Sequence, residues 1–122
     1  MIPAAVADFG AMLGISSLEL SADGTAVLDI EPSDTLCLAQ RGDSLFVSLS
    51  RERDYPNTPP APRLLELLHF HNTGGAPIRC RRTAFGRTTV LLETLPGTGL
   101  RGSDVMASLD RLTKLHNAGE SQ

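Results

Sequence analysis

The chain has 122 residues, 41% of them apolar and only 4% aromatic, with no Trp and a formal net charge of −3. That length suits one domain with an aliphatic core and leaves little room for a second. A weakly acidic chain is a poor match to a phosphate backbone, no apolar run approaches the roughly 20 residues that span a bilayer, and the opening MIPAAVADFG lacks the basic start and long apolar core of a secretory signal. A soluble, cytoplasmic protein with no nucleic-acid or membrane partner is the expectation.

The first element is a helix over residues 4–13. Val6, Phe9, Met12 and Leu13 recur at helical spacing, and Gly14 follows as a stop. Gly10, in mid-helix, costs about 1 kcal/mol against Ala and is expected to mark a close approach by another backbone. SLELSADGTAVLDIE then reads as a hairpin. Leu18 and Leu20 alternate with Glu19 and Ser21, and Ala-Asp-Gly turns the chain with Gly24 at positive φ. Ala26, Leu28 and Ile30 alternate with Val27 and Asp29 on the return. TLCLAQRGDSLFVSLS repeats the pattern: Leu36 and Leu38, a turn at Arg41-Gly42-Asp43, then Leu45, Val47 and Leu49. Four short strands with tight connections imply an antiparallel sheet of sequential neighbours.

RERDYPNTPPAPR holds four of the eight prolines and reads as a loop. It leads into a helix over 62–71. There Leu64, Leu65, Leu67, Leu68 and Phe70 cover more than one side, so this helix must be packed on more than one face. A second hairpin follows in PIRCRRTAFGRTTVLLETL. Ile78 and Cys80 point one way and Arg79 and Arg81 the other, Gly86 sits in the turn, and Val90–Leu95 returns. The last helix runs from Asp104 to about Asn117, capped by Gly102 or Ser103. Its apolar stripe is Val105, Met106, Leu109, Leu112 and His116. Residues 118–122 read as a flexible tail, which leaves one domain over 1–117. The fold class is α+β: an antiparallel sheet with three helices in the order α-β-β-β-β-α-β-β-α.

Chemistry is sparse along this chain. His69 and His71 form an HxH, but residues two apart on a helix diverge by about 200° and cannot share an ion. Cys37 and Cys80 sit in strand-like runs, not in a CxxC pair. They read as two reduced, packed thiols, with a disulfide between neighbouring strands as the alternative. Arg79, Arg81, Arg82 and Arg87 cluster on one hairpin with only Phe85 nearby, which suits a solvated strand face or a contact to acidic groups of a partner. No phosphate loop, nucleophile signature or carboxylate pair stands out, so neither an enzyme nor a metal or cofactor is expected. What remains is apolar surface. The middle helix with the strands after it suggests two-fold self-association. The opening helix with the first strands suggests a groove for a partner segment.

Phe9-Gly10, Leu13-Gly14, Leu18, Leu20, Asp23-Gly24, Val27, Leu28 and Ile30 together resemble the start of the class I, Tir-chaperone-like (CesT-like) effector chaperones of type III secretion systems. SLFVSLS resembles the strand before that family's long loop, RLLELLHFHNTGG its Leu-rich middle helix, and VLLETLP its late strand. The final helix departs from the pattern: it is short, has no Trp and carries Arg111 and Lys114. The resemblance implies a cytoplasmic homodimer, without catalysis or cofactor, that binds the N-terminal segment of a secreted effector and keeps it soluble, non-globular and ready for export. A secretion ATPase or apparatus component is a further partner it allows. It implies effector contacts at Val6, Phe9, Leu13, Leu18, Leu20 and Val27, and a dimer interface at Leu64, Leu67, Leu68, Ile78 and Leu92. The alternative is a non-catalytic regulatory dimer that binds a folded apparatus protein or transcriptional regulator.

Overall fold

The structure is a computed structural model, and it describes residues 1–30, 34–52, 78–82 and 88–120. The helix expected over 62–71, the His69/His71 pair, and the interface residues Leu64, Leu67 and Leu68 lie outside the described residues, as do Phe85 and Arg87.

The described elements are α1 (Ile2–Met12), β1 (Thr25–Ile30), β2 (Asp34–Arg41), β3 (Ser44–Glu52), β4 (Ile78–Arg82), β5 (Thr88–Pro96) and α2 (Gly102–Glu120). The strands form one five-stranded antiparallel sheet in the order β1-β2-β3-β5-β4. The class is α+β, as expected. The described residues contain two helices, and one expected strand is missing. β5, not β4, lies beside β3, so the second hairpin joins the meander by its later strand.

Strict alternation sets the two faces of the sheet. Leu36, Leu38, Leu45, Val47, Leu49, Leu91 and Leu95 turn inward and are buried. They meet Ile2, Val6 and Phe9 from α1, and Val105, Leu109, Leu112 and Leu115 from α2, in one cluster. Both helices therefore cover the same face, and α1 leans on α2. Gly102, the first residue of α2, lies where an added Cβ would be 2.6 Å from Asp8 Cβ and 2.8 Å from the Phe9 nitrogen. Asp104 reaches back to accept the Arg101 N–H at 2.9 Å. This is half of a capping box, and it starts α2 two residues earlier than the stripe suggests. The helix also continues to Glu120, past the end expected at Asn117.

α1 ends as Gly14 requires. The Gly14 N–H donates to Ala11 O at 3.0 Å and the Ile15 N–H to Gly10 O at 2.8 Å, with Gly14 at φ 80°. These are the two bonds of a Schellman motif. Residues 18–21 then depart from expectation, because they are not a strand. Leu18 packs against Gly10, where an added Cβ would fall 2.5 Å from Leu18 Cβ. The close approach expected at Gly10 is thus made by a side chain. It holds the segment to the helix and leaves one backbone bond to β1, from Ser21 N–H to Thr25 O at 2.7 Å.

α2 is fastened to the sheet by polar groups as well as by its apolar stripe. Asp34 and Arg51, paired across β2 and β3, make a bidentate ion pair with both bonds at 2.7 Å, and both are buried. Arg51 also donates to Asn117 Oδ1 at 2.8 Å. His116 is fully buried and bonds through Nε2 to Leu49 O at 2.8 Å. A carbonyl only accepts, so the proton sits on Nε2. Halfway along the helix, Glu93 of β5 accepts from Ser108 Oγ at 2.7 Å and from Arg111. Breaking a buried pair strands a charge, whereas replacing both partners removes the demand. Asp34→Ala is expected to lower unfolding free energy by about 3–5 kcal/mol, and the double change Asp34→Leu with Arg51→Met to recover only part of it, because Asn117 Oδ1 loses its Arg51 donor, both read from urea denaturation. Gly10→Val is expected to cost about 1–3 kcal/mol by overpacking against Leu18.

Candidate functional site

The six residues expected to contact a partner segment divide sharply. Val6 and Phe9 are 0% exposed and belong to the chain's own core. The helical spacing that marks them is the signature of a face turned inward, so they are removed from the candidate surface. Leu18 is also buried, seated on Gly10. Leu13 and Leu20 are half-buried at the margin of the core, and Val27 is 63% exposed. Of the two described interface candidates, Ile78 is buried in the same core, because it lies on the helix-covered face of β4. Leu92 lies half-buried on the other face.

What the structure brings together is a cleft of about 650 Å³ between α1 and the segment leading to β1. Pro3, Ala4 and Ala7 form one wall, Leu18, Leu20 and Ala22 the other, with Gly24 and Gln40 also in the lining. Small side chains on the outer side of α1 leave room for a backbone to come close. Those α1 residues were missed from the sequence, although a signal was there. The outward side of this helix carries Pro3, Ala4, Ala7 and Ala11, with Asp8 as its one charge, where a solvated helix normally carries several. Among the described residues, the exposed large apolar side chains are Met1, Met12 and Val27, all on α1 and β1 or beside them.

Among the described residues β1 is an edge strand, and its free side follows from the ladder. Gln40 N–H donates to Gly24 O at 2.8 Å, so the bonds to β2 fall on Gly24, Ala26, Leu28 and Ile30. The groups of Thr25, Val27 and Asp29 then point away from the sheet. The Thr25 carbonyl is already taken by Ser21. Val27 and Asp29 present their N–H and C=O groups along the open edge, flanked by half-buried Leu28 and Ile30. Such an edge is a template for an added strand.

The turn before β1 is held by polar contacts. Ser21 and Thr25 hydroxyls both donate to Asp23 Oδ1, and Arg41 donates to the carbonyls of Asp23 and Gln40 at 3.1 and 2.8 Å. Those hydroxyls, Ser21 first and Thr25 second, hold the Asp23 carboxyl below the ordinary carboxylate range.

The face of the sheet opposite the helices is crossed by two rows. One runs Val27–Cys37–Ser48–Leu92–Arg79 and the other Asp29–Thr35–Ser50–Val90–Arg81. Each spans four strand spacings, about 19 Å. Arg79 and Arg81 are exposed at the β4 edge, pointing away from Ile78 and Cys80 as the sequence indicates. Cys37 lies on this face of β2 and Cys80 on the opposite face of β4, three strands away. Neither is in a disulfide, and their places on opposite faces exclude one between them.

No protein-family model and no curated protein matches the sequence. Solved structures do match it. A chain of the HopA1–SchA chaperone–effector complex superposes with TM-score 0.73 at 16% identity, covering 97% of this chain and 91% of its own. A chain from the Yersinia pestis type III secretion chaperone SycH in complex with a stable fragment of YscM2 gives 0.68 at 19%, covering 94% and 99%. One from the ExoT–SpcS complex of Pseudomonas aeruginosa gives 0.67 at 14%, covering 96% and 95%.

Phe9→Ala is expected to cost about 3–5 kcal/mol in a thermal or urea melt. Val27→Ala should change stability by less than about 0.5 kcal/mol. The contribution of the Asp23 turn is complete above the ordinary carboxylate range and is lost as pH falls through the lowered value. An NMR titration of the Asp23 carboxyl should therefore show a midpoint below that of an unstructured Asp, and Ser21→Ala should move it back up. In its helix-covered five-stranded sheet and its order of elements, the chain has the fold of the type III secretion chaperones.

Proposed function

We propose that the chain is a type III secretion chaperone that binds the N-terminal segment of a secreted effector and keeps it soluble and non-globular until export. The observation that carries this reading is the conjunction of the α1 cleft with the open edge of β1. A disordered segment must recover its ordering entropy on binding, which calls for a long interface with backbone pairing and apolar pockets. The cleft and the edge offer both, and neither needs an ionisable group for chemistry. The reading has no catalytic step, and it places the protein in the bacterial cytoplasm. No described helix is long and apolar enough to cross a membrane.

The half-apolar outer face of the sheet, with Phe46, Val90 and Leu92 half-buried on it, supports a second element of the proposal: two copies associate. Leu92 stays in that interface, and Ile78 supports it from the core side.

Affinity purification of the tagged protein from its native cytosol, followed by mass spectrometry and truncation of what is retained, tests the reading. The expected result is one secreted protein held through its N-terminal region. Recovery of only a folded regulator would move the function to control of secretion. Leu20→Ser combined with Val27→Ser should weaken cargo binding about tenfold or more while the protein stays folded, because these apolar atoms lie partly or wholly outside the core. Unchanged affinity in the folded variant would remove the cleft and edge from the site.

A further inference from the structure

The two edges of the sheet carry opposite charge, and this bears on which segment the free edge accepts. On the β1 side lie Asp29, exposed on the outer face, and Glu19 and Asp23, exposed in the segment before the strand. Asp29 makes no ion pair among the described residues, and Asp23 is held in its charged form. Arg41, which reaches this turn, donates to two backbone carbonyls there. On the β4 side, Arg79 and Arg81 end the same two rows that begin with Val27 and Asp29.

We propose that the open edge of β1 selects an incoming strand bearing Lys or Arg opposite Asp29, and that Asp29 is a specificity-determining residue. This rests on the chaperone reading. Residues of an added strand that face each other across the pair have Cβ atoms about 4.5–5.5 Å apart, within reach of a charge pair. The strand's neighbours on either side of that basic residue fall on the opposite face, beside Leu28 and Ile30, and extend the apolar margin there. The next position on the outer face meets Val27. An antiparallel segment therefore reads apolar, basic, apolar, apolar against Ile30, Asp29, Leu28 and Val27. At the β4 edge the same segment would meet Arg79 and Arg81 and be repelled, so charge directs it to one edge only.

Two labelled peptides test this, one with a central Leu-Lys-Leu-Val and a twin with Leu-Glu-Leu-Val. Their reversed sequences cover parallel pairing. With the full chain, fluorescence anisotropy should show the Lys peptide binding about fivefold tighter than its twin, and hydrogen exchange should slow at the Val27 and Asp29 amides. Asp29→Lys should invert the preference, and Asp29→Asn should abolish it without inversion. Both variants change an exposed side chain and leave the core untouched. Equal affinity for the twins, a preference that survives Asp29→Lys, or binding of neither peptide would each overturn the inference. None of these touches the chaperone reading, which stands or falls on whether a secreted protein co-purifies.

Discussion

The seat that Gly10 makes for Leu18 decides where the sheet ends. With a side chain at position 10, Leu18 could not reach the helix surface, and 18–21 would be free to pair with β1 as its alternation suggests. Held to α1, the segment gives the chain a short wall instead of a sixth strand. The cleft exists because that wall stands beside the small outer residues of α1. The edge of β1 is open from Val27 onward because the wall bonds to the strand at Thr25 alone among the described residues. Binding surface and fold thus share one packing contact, at a glycine that is otherwise unfavourable in a helix.

The far side of the molecule is governed differently. α2 has an apolar stripe, but its position over β3 and β5 is also fixed by Asp34, Arg51, His116 and Asn117 at one end and by Glu93, Ser108 and Arg111 in the middle. Apolar contact tolerates sliding, whereas directional bonds to particular partners do not. A small aliphatic core with one described Phe in its buried cluster gains a fixed arrangement from these bonds. α1, packed along α2, inherits it.

Much of this was legible in the sequence. The turn at Gly42, the buried sets Leu36–Leu38 and Leu45–Val47–Leu49, the opposed faces of Ile78 and Arg79, and the stop at Gly14 all follow from local rules. What was not legible depends on contacts between distant parts of the chain. Leu18 and Leu20 alternate like a strand, and only the helix surface shows why they are not one. Val6 and Phe9 look like a binding stripe or a core stripe equally well, since both give helical spacing. Burial settles them as core. The true outward side of α1 was recorded as an absence of charge at Pro3, Ala4, Ala7 and Ala11, a weaker signal than a run of large apolar residues. The buried ionic contacts to α2 have no local signature, because their partners are brought together only by the fold.

The bond from Ser21 to the Thr25 carbonyl has a geometric consequence. It occupies the first outward position of β1, so a strand laid along that edge meets a fixed stop before Val27. Side chains alternate with a period of two, and a slip of one residue would exchange every inward group for an outward one. A free edge without a stop would accept the same segment in several alignments. Here the chain's own backbone sets the zero of the scale, and the remaining outward groups, at Val27 and Asp29, are few enough that a guest strand can be read in one frame.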